Sequence, residues 1–261
     1  MNLNTFAIFI ILTYLGAALA QSLHLFGVLR HSLWRYGSTS LISIIGHGWI
    51  LYQLIETPFG QNLNWLIMLS FTLWVMNIIT FFTGFRTKGE NLCIITYPLA
   101  ALSIALALSF GGMEVVNTKT QPGVLVHIFI SLLAVSLLTL ASVQALLLGL
   151  QNWLLKDHRT SQLLEKFLPL QTMESFLFSI IWSGFLFLSA SLASGFIFQH
   201  HIFSSFLLHK SLLAVGAWIL LTLLLIGRYW FGWRGPTAIR WTLGTTLLTF
   251  LSYFGTKALL M

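Results

Sequence analysis

Hydrophobic runs of about twenty residues recur along the chain with short polar breaks between them, and that pattern predicts the architecture. An α-helix needs about 20 apolar residues to cross a hydrocarbon core of about 30 Å. Runs of that kind lie near 5–29, 38–57, 64–85, 92–110, 123–153, 174–198, 210–229 and 238–260. The fifth is long enough to tilt or to extend beyond the membrane. Turn chemistry separates several of them: Thr57-Pro58-Phe59-Gly60, Gln121-Pro122-Gly123 and Arg234-Gly235-Pro236. The longest polar stretch, 154–173, repeats Leu163, Leu164, Phe167 and Leu168 at helical spacing, which predicts a short helix lying on the membrane surface. The expected fold is therefore all-α, a polytopic membrane bundle of about eight transmembrane helices forming one domain over 1–261. No internal repeat is visible.

Composition strengthens this picture. Hydrophobic residues make up 57% of the chain and charged residues only 7%, against roughly 25% charged in a soluble domain. So few charges cannot cover a water-soluble globule, and most of the surface must face lipid. A net charge of +7 in so apolar a chain points to basic loops rather than to nucleic acid. The single cysteine, Cys93, excludes an intrachain disulfide and any cysteine-based metal site.

The basic residues also set an expected orientation. Arg30, Arg35, Arg86, Lys88, Lys156, Arg159, Lys166, Arg228, Arg234 and Arg240 fall after the odd-numbered runs, and only Lys119, Lys210 and Lys257 fall on the other side. Cytoplasmic loops are enriched in Lys and Arg, so both termini are expected outside, on the periplasmic face of a bacterial inner membrane. Ala18-Leu19-Ala20-Gln21 is like a signal-peptidase site. No Lys or Arg precedes the first apolar run, however, and the charges follow it at Arg30 and Arg35. That order predicts a retained helix.

Candidate chemistry is sparse. No acidic residue is expected mid-membrane: Glu56 and Glu174 sit at helix ends, which disfavours an ion-coupled transporter. There is no phosphate-binding loop, dinucleotide fingerprint or His-Glu-x-x-His motif. Histidine carries the titratable interest. His31 and His158 fall in basic loops, His24 near a helix end, and His200 and His201 in the loop after the sixth run. His47 lies deep in the second run beside Ser43 and Gly46, where a desolvated imidazole needs a side chain, a carbonyl or a metal as partner. His127 lies four residues past Gly123, above a face of Ser131, Ala134, Ala141, Ser142 and Ala145 small enough for close approach of a helix or a flat ligand. His209 opens the seventh run on the same side. Neutral imidazole is an axial ligand for haem iron; the alternative is that each histidine only bonds helix to helix.

Several motifs then point to a family. Pro122-Gly123-Val124-Leu125-Val126-His127 with its small-residue helix, Ser183-Gly184 and Ser194-Gly195, Trp218, Gly232-Trp233-Arg234-Gly235 and Tyr253-Phe254-Gly255 together resemble the core of the CcsA/CcmC-type cytochrome c assembly family over about 120–258. His47 resembles that family's transmembrane histidine. Members that present haem outside the membrane carry a Trp-rich loop with Trp-Asp before the seventh helix. Here Gln199 to Lys210 contains neither residue, Ile226 stands where the synthase-type histidine would be, and no external histidine follows the last run. The chain is thus most similar to the short, eight-helix YpjD-like and HemX-like branch. The resemblance implies a haem-binding protein acting in haem handling or cytochrome biogenesis, holding haem b and not itself an enzyme. For His127 the family match is direct. His209 is inferred from its depth and from its place where the haem-presenting loop meets the next helix. These two are the expected axial pair, with His47 a candidate for a second or transient site. Membrane lipid and haem are the expected partners, nucleic acid is not, and a cytoplasmic or membrane protein partner is compatible. Two other functions fit the same residues. One is a regulatory scaffold of haem biosynthesis that binds a cytoplasmic partner through loops 30–37, 154–173 and 228–240, whose Trp34, Tyr36, Trp230 and Trp233 would suit an interface or anchor the chain at the membrane surface. The other is a small quinone-linked b-type cytochrome.

Overall fold

The computed structural model describes residues 2–29, 33–87, 89–116, 122–156, 169–198 and 205–255. Among them are eight long helices: α1 Leu3–Leu25, α2 Leu33–Ile55, α3 Trp65–Thr87, α4 Cys93–Phe110, α5 Pro122–Lys156, α6 Leu170–Phe198, α7 Ser205–Phe231 and α8 Pro236–Phe250, the last running into a wide π-type turn over Leu251–Gly255. Each coincides with one expected apolar run, and the protein is an all-α polytopic membrane bundle. Most of the surface hydrophobic helix then has to be satisfied by lipid, and its backbone bonds by the helix itself. The surface helix expected within 154–173 falls mainly on 157–168, outside the described residues, as do His31, His158, His200 and His201.

Six of the helices are long and apolar enough to cross a membrane on those criteria alone: α1, α3, α4, α5, α6 and α7. The other two fall short for visible reasons. Helix α2 is diluted by Ser40, Ser43 and His47, all fully buried, so these three polar groups face protein rather than lipid. Helix α8 has only 15 residues before the π-type turn. At the other extreme, α5 has 35 residues, about 52 Å at about 1.5 Å per residue. Even a tilt of about 40° leaves it spanning about 40 Å, so part of it stands beyond the hydrocarbon.

The chain forms two compact units, Met1–Thr120 and Gln121–Met261. In the first, α1 packs on α2, α2 on α3, α3 on α4 and α4 back on α1, closing a four-helix ring. One end of this unit carries a small antiparallel sheet. Its strands, β1 Glu56–Thr57, β2 Gly60–Asn62 and β3 Val115–Val116, pair Glu56 with Gln61 and Gln61 with Val116. The Asn62 side chain ties the sheet down: its Oδ1 accepts the backbone N–H of Asn64 (3.2 Å) and Glu114 (2.9 Å), and its amide donates to the Gly112 carbonyl (3.2 Å).

The second unit repeats the ring with α5 on α6, α6 on α7, α7 on α8 and α8 on α5. Helices α5 and α7 therefore stand diagonally across it. The α5–α6 contact is the most extensive because the small face expected on α5 lets α6 approach: Ala134, Ala141 and Ala145 are buried, and Gly184 of α6 has room for nothing more than hydrogen against Leu138. The Gln144 amide bonds the Met173 carbonyl (3.1 Å), and Thr246 of α8 donates to the Leu138 carbonyl (3.0 Å). The α7–α8 connection is a tight turn with Gly232 and Gly235 at φ +65° and +50°. Side chains rarely adopt that backbone, and Pro236 follows as the first residue of α8, where its missing N–H costs nothing.

Candidate functional site

The site begins with the first two turns of α5. Gly123 lies directly against the Phe198 ring, so the last turn of α6 meets the first turn of α5, and the next turn brings His127 onto α6. The half-buried imidazole lies with Nδ1 at 3.1 Å from the Ser191 carbonyl oxygen and 3.0 Å from the Ser194 hydroxyl. Gly195 makes the approach possible: a Cβ at that position would stand 3.0 Å from Cε1 of His127. The other ring nitrogen, Nε2, has the Ser131 hydroxyl at 3.5 Å. That is a poor distance for a hydrogen bond, and Ser131 has better partners in the His127 carbonyl and the Ser191 hydroxyl, both at 2.7 Å. His127 is thus anchored through one nitrogen and, among the described residues, turns the other toward only a distant hydroxyl.

His209 is the fifth residue of α7 and is exposed. The neighbouring Lys210 carbonyl accepts the Ser252 hydroxyl (2.8 Å), which ties the start of α7 to the end of α8. His127 and His209 sit at corresponding depths from the starts of their helices, at the same end of the second unit, on its diagonal pair.

His47 has a different setting. It is 0% exposed in the ring of the first unit. The Tyr14 hydroxyl of α1 lies 3.3 Å from Nδ1, and the Ser70 hydroxyl of α3 lies 2.9 Å from Nε2. Ser103 of α4 continues the line with a bond to Ser70 (3.2 Å). One imidazole therefore connects all four helices, its edge also meeting the Tyr14 ring at a centroid distance of 5.8 Å. The polar face expected on α2 is what places it: Ser43 bonds Thr13 of α1 (3.0 Å), and Gly46 admits the end of Ile10. Both nitrogens of His47 are engaged by hydroxyls, so a metal could take either one only by displacing a bond. Among the described residues no three His, Cys, Asp or Glu side chains gather as a metal cage.

A charged cluster stands at the other end of the second unit. Arg228, in the last turn of α7, pairs with Glu174 of α6 at 2.7 Å, lies 4.4 Å from the centre of the Phe178 ring, and donates to the Trp233 carbonyl (3.3 Å). Trp233 folds over Gly227 and meets the Trp241 ring at a tilt of 35°, centroids 5.2 Å apart. The Gly-Trp-Arg-Gly motif is thereby a turn that closes the α6–α7–α8 end around one ion pair.

Sequence reasoning identified His127, Ser131, Ser194 and Gly195 but missed the Ser191 carbonyl. Its trace is the Ser191-x-x-Ser194-Gly195 spacing, which puts all three on one face of α6. Comparison with known proteins bears on the whole set. The family model described as "Cytochrome C assembly protein" matches residues 36–261, and so takes in His47, His127 and His209. The inner membrane protein YpjD of Escherichia coli K12 is 28% identical over 221 residues, covering 84% of each chain. A protein of Azospirillum brasilense, described as an uncharacterized 28.8 kDa protein in nifR3-like 5' region, is 31% identical over 140 residues, 52% of each chain. No solved structure matches. The family match covers most of the first unit and all of the second, and the chain belongs to the cytochrome c assembly protein family.

Proposed function

We propose that this protein, a multi-pass protein of the bacterial inner membrane, binds haem b and acts in haem handling during cytochrome biogenesis without being a cytochrome c synthase itself. The observation that carries this reading is the bonding of His127. Histidines that ligate a metal usually give their second ring N–H to a carbonyl or carboxylate, which fixes the ring and raises its basicity. The Ser191 carbonyl stands where that role requires, 3.1 Å from Nδ1, and Nε2 is left with its weakest neighbour. His209 suits the second axial position: it is exposed at the same end of the unit, on the helix diagonally opposite, and facing side chains across a bundle are how four-helix proteins build cofactor sites. When bound, haem supplies an iron centre that a pair of neutral imidazoles holds in the low-spin state. His47 is assigned to a hydrogen-bonded lock between helices, because both its nitrogens already have hydroxyl partners. The basic-residue asymmetry puts the His127 end of the second unit on the periplasmic side.

The test is the absorption spectrum of protein purified in detergent. Haem should give a low-spin Soret band, and His127→Ala or His209→Ala should lower haem occupancy or convert the spectrum to high spin while membrane insertion is kept. If both variants retain the wild-type spectrum and His47→Ala loses it, the ligand assignment fails.

A further inference from the structure

The hydroxyls and the carbonyl around His127 do more than hold the ring: they choose which nitrogen carries its proton. Ser194 has one proton, and its hydroxyl donates to the Ser191 carbonyl at 2.9 Å. That carbonyl is also 3.1 Å from Nδ1. A carbonyl oxygen can only accept, so a lone pair on Nδ1 would face another lone pair across that distance inside a membrane helix pair, where the repulsion is poorly screened. With the proton on Nδ1 the conflict disappears. The N–H is shared between the Ser191 carbonyl and the oxygen of Ser194, both acceptors within hydrogen-bond reach.

The opposite tautomer has nothing to recommend it at the other end of the ring. Among the described residues a proton on Nε2 would find only the Ser131 oxygen, at 3.5 Å. The Ser131 proton in turn has two acceptors at 2.7 Å, the His127 carbonyl and the Ser191 hydroxyl, and is drawn away from Nε2. Gly195 keeps the ring in this register, since any side chain there would press on Cε1.

We infer that the Ser191 carbonyl, with Gly195 as the positioning residue, locks His127 in the Nδ1–H tautomer and makes Nε2 its ligating nitrogen. Free histidine in water favours the reverse, the Nε2–H form, so the lock is measurable. The inference rests on the haem reading only for the use to which Nε2 is put; the tautomer itself belongs to the haem-free protein.

The experiment follows from that separation. Protein labelled with nitrogen-15 histidine and purified free of haem is compared by nitrogen NMR with His127→Ala, so that the missing signals identify His127. A pyrrole-type Nδ1 and a pyridine-type Nε2 are expected. A pyridine-type Nδ1, or two pyrrole-type nitrogens, overturns the inference. Ser194→Ala keeps the Ser191 carbonyl and should keep the tautomer; inversion in that variant overturns the assignment of the carbonyl as the determinant. Gly195→Ala should displace the ring and reduce the Nδ1–H signal. Should that variant fail to fold, the wild-type and Ser194→Ala spectra still decide. Absence of haem binding by the wild type would refute the proposed function and leave the tautomer result standing, whereas an inverted tautomer with haem bound would do the reverse.

Discussion

Ser70→Ala separates the two roles that a buried membrane histidine can have. The Ser70 hydroxyl is 2.9 Å from Nε2 of His47 and accepts from Ser103 at 3.2 Å, and all three residues are buried. Removing it deletes an interhelical bond worth about 0.6 kcal/mol on average and up to about 1.7 kcal/mol in membrane proteins. It also leaves a polar nitrogen facing apolar surroundings, which adds about 1 kcal/mol or more. Ser103 loses less, because its hydroxyl already bonds the Ala100 carbonyl at 2.8 Å. The expected loss is therefore about 1.5–3 kcal/mol, read from reversible unfolding of the purified protein in mixed micelles. In a His47→Ala background the same change should cost less by about the bond energy, which a double-mutant cycle measures directly. A loss below about 0.5 kcal/mol, the range of ordinary surface substitutions, would refute the lock. So would a Soret band that grows in Ser70→Ala, because that would mean the freed Nε2 is a ligand waiting for iron.

Three further outcomes are expected. Glu174→Gln should destabilise by about 1–2 kcal/mol, since its carboxylate and Arg228 are only 15% and 26% exposed and the cation would keep its place on Phe178 without a counter-charge; equal stability of wild type and variant would show the pair to be ornamental. A reporter fused after Met261 should be active in the periplasm and silent in the cytoplasm, and the opposite pattern would invert the assigned orientation. Cells in which this is the sole protein of its family should make no covalent cytochrome c, because the Trp-Asp loop is missing between Gln199 and Lys210; haem attached to a Cys-x-x-Cys-His apocytochrome in such cells would overturn that.

The helices were legible because the bilayer leaves no other option. Each apolar run had to be a helix, and the run near 174–198 became α6 over Leu170–Phe198, with Glu174 near its start. What the runs do not encode is who meets whom. Tyr14 and Ser70 stand 33 and 23 residues from His47, and nothing in the local period of α2 names them. Arg228 was read as one of ten orientation-setting charges, and its pairing with Glu174, 54 residues away, came only from the antiparallel packing of α6 and α7. The Thr57-Pro58-Phe59-Gly60 turn was visible, yet the pairing of Gln61 with Val116 depends on α3 and α4 returning the chain to the same end. At His127 the small residues on its own helix could be read, whereas the decisive acceptor is a backbone carbonyl, which every residue has and which only the Ser191-x-x-Ser194-Gly195 spacing hints at.

His47 and His127 show why depth in the membrane is a poor guide to ligand chemistry. His47 is the deeper and drier, which argues most strongly from sequence for a special role, since an imidazole there must be partnered. That same requirement is met by hydroxyls on α1 and α3, and meeting it uses both nitrogens. His127 lies nearer its helix end, and its demand is met on one side only, by Ser191 and Ser194. A fully satisfied histidine resists a ligand because the incoming bond must replace an existing one in a medium where the released hydroxyl finds no water. A half-satisfied histidine gains by ligation, and its anchored nitrogen has already been oriented. Availability of a lone pair, rather than burial, is what distinguishes a port from a lock, and on the proposed function it assigns the ligand to α5.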